Sequence, residues 1–286
     1  MATWQSEIDD AVRGLASGLL IGVPTVFAVD TWWLGDQLLP SDALFLLLFS
    51  YLLTLAAVYW INFRQGRRRG WQYAGDAIEA LALALASLAA VLWVLGQIGD
   101  DQSTTRDLGR FAVAVAPVSL GIAVANHLLP RDGSRLDPDA GDASALRGWA
   151  SDSGWRRTAL EFAATAAGAL FLAMSIAPMD DLNAMATEID LDRLPFVAVL
   201  TLVASYLVVF AAGFNGESSR WATIGPLQHP IVETFAAYVV AIAAAWFTLW
   251  LFGRVDSSTA PLVVYMKTIL LAFPASLGAA AGRLAV

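Results

Sequence analysis

The chain contains no cysteine, which excludes disulfides and thiol-ligated metals. Its two histidines, His127 and His229, leave little material for a zinc site. Charged residues make up 15% of the 286, against about 25% in an ordinary soluble domain. Lysine is nearly absent: sixteen arginines are accompanied by Lys267 alone. With a formal net charge of −8 and no basic patch, no nucleic-acid partner is expected. The start, MATWQSEIDDAVRG, has no basic segment of the signal-peptide kind, so the first apolar block is expected to stay as a helix. Nucleophile elbow, P-loop, HExxH and dinucleotide fingerprints are missing, and GSRLDPDAGD lacks the spacing of a calcium loop. No enzyme activity and no cofactor or metal is expected.

What the chain has instead is apolar residues, 58% of the total, gathered in long blocks. A helix that spans a bilayer needs roughly 20 mostly apolar residues. Eight blocks qualify, at about 13–34, 43–63, 76–97, 110–129, 157–178, 195–214, 230–252 and 261–285. Stretches such as LALALASLAAVLWVL are apolar all round and do not alternate, so they are helices and not barrel strands. The expected class is an all-α polytopic membrane protein. Acidic loops with a single lysine fit either a salt-adapted organism or GC-rich codon usage.

Arginine sets the orientation. Arg64, Arg67, Arg68 and Arg69 follow the second block. Arg131, Arg135, Arg147, Arg156 and Arg157 follow the fourth, with Arg13, Arg220 and Arg283 on the same side. The opposite side has only Arg106, Arg193 and Arg254 in its loops, beside carboxylates that include Asp36, Asp107, Asp180, Asp181, Glu188 and Asp256. Both termini are therefore expected in the cytoplasm, in the cell membrane. Residues 130–156, rich in Asp, Gly, Ser and Pro, read as a flexible cytoplasmic linker between two units, 1–129 and 157–286.

The two units resemble each other. APVSLGIAVA from Ala116 matches FPASLGAAAG from Phe273, pairing Pro117 with Pro274, Ser119 with Ser276 and Gly121 with Gly278 at an offset of 157. SYLLTLAA from Ser50 matches SYLVVFAA from Ser205, and DAIEALA matches PIVETFA, pairing Glu79 with Glu233. Gly18 and Asp30 align more weakly with Gly168 and Asp180. An even number of helices per unit keeps both units in one orientation. The expected architecture is eight transmembrane helices as two parallel four-helix repeats, related by a pseudo-twofold along the membrane normal. On the same offset Lys267 corresponds to Arg110. Lys267 is then a shallow cation near the outer end of the last helix, snorkelling outward, pairing with Asp30 or Asp180, or holding a substrate. A retinal Schiff base is rejected, because that lysine should lie mid-membrane in a seven-helix bundle.

WWLG at Trp32–Gly35, PVSLG at Pro117–Gly121, QHPIVET at Gln228–Thr234, AGF at Ala212–Phe214 and the closing FPASLGAAAGR also carry a resemblance. Together they resemble the uncharacterised family of integral membrane proteins known as domain of unknown function 2391, over nearly the whole chain outside the linker. The resemblance implies a multi-pass prokaryotic membrane protein and no substrate.

Candidate residues follow from the physics of charge in a bilayer. Glu79 and Glu233, one turn into their helices, either stabilise helix N-termini or form an ion or proton site. His229 lies one turn before Glu233, but Gly75 takes its place in the first repeat, which favours a local cap. Glu161 beside Arg156 and Arg157 reads as an interfacial pair. Pro117 and Pro274 kink matching helices, with Ser119 and Ser276 following, a pattern that points to a transporter site or to a packing kink. Gly278 with Gly282 forms GxxxG, and Gly121 with Ala125 a looser version. These suit contact between the fourth and eighth helices, or a homodimer. Asp30, Asp180 and Asp181 could concentrate cations at an outer mouth. The expected function is transport or conduction of a small ion or solute, with a non-transporting scaffold or sensor as the alternative.

Overall fold

Apolar residues without alternation satisfy their backbone groups best as helices, and the computed structural model is helical over most of the residues it describes, 4–63, 70–99, 103–128, 154–211 and 230–284, with no strand among them. In chain order these are α1 (Trp4–Val26), α2 (Val29–Gln37), α3 (Pro40–Phe63), α4 (Gly70–Val94) and α5 (Thr104–Leu128). They are followed by α6 (Gly154–Ile176), α7 (Asp181–Glu188), a 3-10 turn at Leu191–Arg193, α8 (Leu194–Tyr206) running into a π-helical turn at Leu207–Ala211, α9 (Pro230–Leu251) and α10 (Pro261–Leu284). Residues 130–153 of the expected linker, Arg64 to Arg69, Arg220, His229 and the AGF at Ala212–Phe214 lie outside the described residues, while 154–156 open α6.

Among the described residues, five helical stretches are long and apolar enough to cross a membrane: Pro40–Tyr59, Trp71–Val94, Leu191–Phe210, Pro230–Leu251 and Pro261–Arg283. A sixth is added if Glu161–Ile176 and Asp181–Glu188, bent by 88°, count as one span. The first block, expected as one crossing over 13–34, is instead two helices. Ala28 is extended, at φ −88° and ψ 103°. Its carbonyl accepts both the Thr31 hydroxyl at 2.6 Å and the Thr31 amide at 3.0 Å, which starts α2. Asp30 sits in that first turn, where the helix dipole favours a carboxylate. Hydropathy is blind to the break because both sides of it are apolar.

The chain packs as two units, residues 1–128 with 180–200, and residues 129–179 with 201–286. Segment 180–200 thus joins the first unit, a division different from 1–129 and 157–286. The ties that hold it there are polar and distant in sequence. The Asp181 carboxylate accepts the Val29 amide at the start of α2. Arg193 donates to the Trp93 carbonyl at 2.6 Å. Gln97 donates to Glu188 at 3.3 Å.

Each unit is organised around its proline-bearing helix. In the first, α5 packs against α1, α2, α3 and α4. In the second, α10 packs against α6, α9 and the π turn, and 78% of its apolar window is buried, against 22% for α3. Small residues allow this. A side chain at Gly168 would strike the backbone of Gly278 and Gly282, and one at Gly282 would strike Ala164. The GxxxG of α10 therefore closes on α6 of its own unit, where the expectation was the fourth helix or a dimer partner. The reason is complementary shape: α6 offers a glycine at the level of both. On α5, Val118 and Ile122 beside Gly121 fill the surface left by Gly14, Gly18 and Gly22 of α1.

Candidate functional site

The C-terminal ends of α4 and α9 are built alike. Trp93–Gln97 reads WVLGQ and Trp250–Arg254 reads WLFGR, again 157 residues apart. Gly96 and Gly253 take φ of +73° and +66°, the left-handed region that favours glycine. The Gln97 amide reaches the Leu92 carbonyl at 2.7 Å, and the Arg254 amide reaches the Leu249 carbonyl at 2.8 Å. These are matching Schellman caps. Each turn leaves one carbonyl facing the next helix, where a buried cation takes it. Arg110 donates to the Gln97 carbonyl. Lys267 donates to the Arg254 carbonyl at 3.0 Å. The two expected cations are thus in equivalent places, 4% and 9% exposed. A carbonyl, and not a carboxylate, is the partner the structure gives Lys267.

The first of these caps carries a larger network. Arg110 Nε and a terminal nitrogen donate to the two oxygens of Asp36 at 2.7 and 2.9 Å, a bidentate pair. Arg106 adds a third bond to Asp36 at 2.7 Å. Burial pushes the Asp36 carboxyl up, but the hydrogen bonds and charges of Arg106 and Arg110 outweigh it and hold it below the usual range. Gly35 makes the network fit, since its backbone lies against that of Gly109 and Arg110. At the second cap, Asp256 in the exposed loop accepts from Ser258 and Thr259, which hold it down to about 2. Sequence reasoning missed Asp36, Gln97 and Arg254. The repeated Trp-x-x-Gly-x pair was the signal available.

Deeper in each unit the serine after the proline meets a hydroxyl on the neighbouring helix. Ser119 pairs with Thr54 of α3 at 2.9 Å, and Ser276 pairs with Ser205 of α8 at 2.7 Å. All four are buried. In the first unit further acceptors exist, because Thr54 also reaches the Ser50 carbonyl at 2.8 Å and Ser119 the Ala116 carbonyl at 3.1 Å. Among the described residues, Ser205 and Ser276 have only each other. The π turn begins two residues after Ser205, and such turns gather at functional positions.

The glutamates diverge. Glu233, in the first turn of α9, is ion-paired with Arg283 in the last turn of α10, and both are nearly buried. Glu79 on α4 is exposed. Asp30, Asp180 and Asp181 fall together in the first unit, Asp181 within electrostatic reach of the other two. Among the described residues, no three His, Asp or Glu side chains form a metal-holding group.

Neither a curated protein nor a solved structure matches the chain. Residues 10–286 match the family described as "putative integral membrane protein (DUF2391)", so the chain belongs to that family of integral membrane proteins.

Proposed function

We propose that the protein moves a small ion or solute across the cell membrane. On this reading eight crossings form two parallel repeats, with both termini cytoplasmic. Support for the repeat comes from the twin caps and their cations at one common offset. The observation that carries transport is the buried hydroxyl pair beside each proline, Ser119 with Thr54 and Ser276 with Ser205. Hydroxyls of this kind also join packed membrane helices, but proline-interrupted helices at matching places are pointers to transporter sites. The hydroxyls would replace part of a solute's hydration shell. Asp30 and Asp180 would gather cations at the outer mouth. Glu79 and Glu233, once released from the groups they interact with, would receive them on the cytoplasmic side.

One observation favours the alternative, a non-transporting scaffold or sensor. Arg283–Glu233 and Arg110–Asp36–Arg106 are closed ion pairs, as structural charges would be. Flux in proteoliposomes decides between them. Cations, chloride and protons are screened with wild type, the Ser119→Ala, Ser276→Ala double variant and the Glu79→Gln, Glu233→Gln double variant. Transport requires wild-type flux above empty liposomes and its loss in folded variants. A wild type no leakier than empty liposomes across the panel sinks the transport reading.

A further inference from the structure

The chain leaves the second unit at Met179, runs through residues 180–200 as part of the first, and returns to the second at Thr201. α7 makes the entry, bent 88° from α6, so it lies along the outer surface when α6 crosses the membrane. Its pattern agrees: Leu182 and Met185 are buried, and Asn183, Thr187 and Glu188 are exposed. Residues 180–193 thus cross the outer end of the first unit as a strap. Three polar ties fasten it. The Asp181 carboxylate accepts the Val29 amide at the start of α2. Glu188 accepts from Gln97, and Arg193 donates to the Trp93 carbonyl, both at the cap of α4. The buried side of α7 is small, and the Arg193 tie is exposed to water. Segments held in this way open locally while the core stays folded.

Of the three ties, the Asp181 end is crowded with charge of one sign. Asp30 on α2 and Asp180 beside it in the chain are the charged groups that act on Asp181 among the described residues. Arg106 and Arg110 of α5 are engaged with Asp36 at the other end of α2. Burial, then the charges of Asp30 and Asp180, push the Asp181 carboxyl up, and the Val29 amide offsets only part of this. Burial and the approach of Asp30 exist only while the strap is down. The docked carboxyl therefore holds a proton more tightly than the undocked one, and acid favours docking.

We propose that residues 180–193 form an outer lid on the first unit, which undocks while both units stay folded and which protonation at the Asp30, Asp180 and Asp181 cluster closes. At neutral pH the three carboxylates repel one another and hold the lid loosely. Uptake of a proton removes part of that repulsion, and Leu182, Met185 and Ile189 stay buried. The inference takes from the proposed orientation only that this end faces out. It is independent of transport, since a sensor would carry the same lid.

A chain without cysteine makes the test direct. Spin labels are attached to full-length protein in phosphatidylcholine nanodiscs at Asn183→Cys and Ser41→Cys, both exposed and both in the first unit. Pulsed dipolar spectroscopy should find a docked distance and a second, undocked population. The undocked population should fall by roughly threefold or more between about pH 8 and about pH 4. Asp181→Asn, which is neutral at every pH and can still accept the Val29 amide, should hold the docked distance throughout. Hydrogen exchange of the unlabelled wild type gives a reading that needs no variant: amides of 182–193 should exchange through an opening that those of α5 do not share. A single distance over the whole range overturns the lid. So does a pH response that Asp181→Asn leaves intact, or exchange at 182–193 no faster than in α5.

Discussion

Arg283 and Glu233 join the last turn of α10 to the first turn of α9, with side chains 7% and 13% exposed. Arg283 also approaches the Glu233 carbonyl at 3.4 Å. Removing one partner strands the other charge in a poorly solvated place. Glu233→Gln should therefore cost about 3–5 kcal/mol, the range for breaking a buried pair. Glu79→Gln, at an exposed position where any ion pair is screened by solvent, should cost about 1 kcal/mol or less. Chemical unfolding in detergent checks both. Equal losses would mean that the two glutamates are equivalent after all.

Hydroxyl pairs give a second comparison. Ser276→Ala leaves Ser205 buried without a partner, and an unsatisfied buried hydroxyl costs about 1–3 kcal/mol. The Ser205→Ala, Ser276→Ala double variant removes both partners and should be less destabilised than either single variant. Ser119→Ala should cost less than Ser276→Ala, because Thr54 retains the Ser50 carbonyl. A thermal-melt double-mutant cycle reads the difference.

Glycine substitutions should separate packing from backbone propensity. Gly278→Ala would place a methyl against the Gly168 carbonyl, so α6 and α10 must part. The expected loss is about 1–3 kcal/mol, as for overpacked sites. Gly75→Ala meets nothing within 4 Å on α4 and should gain up to about 1 kcal/mol from helix propensity. Opposite shifts in melting temperature are the expected result.

Asp36 gives stability a defined pH dependence. Its folded pKa is depressed, so its contribution is complete above the unfolded value of about 3.9 and is lost as pH falls through the lower folded value. Melting temperature should hold from neutral pH down to about 5 and fall below about 4. Asp36→Asn should start lower at neutral pH and lose less on acidification. An unchanged acid limb in that variant would show that other carboxylates control it.

The sequence by itself determined the class, an integral membrane protein built of apolar helices. Composition and unbroken apolar runs leave a membrane protein no other regular structure, and the offset of 157 between Pro117 and Pro274 carries over to Arg110 and Lys267 because both matches lie on one helix. Local order was legible because each helix satisfies its own backbone. Tertiary structure decided the rest. The break at Ala28, the assignment of 180–200 to the first unit and the closure of Gly278 onto Gly168 depend on contacts between residues far apart in sequence. The same holds for the charges. Nothing local tells that Glu79 is exposed and Glu233 nearly buried, or shows that Asp36 pairs with Arg110 while Lys267 donates to a carbonyl, because burial and packing are properties of neighbouring helices.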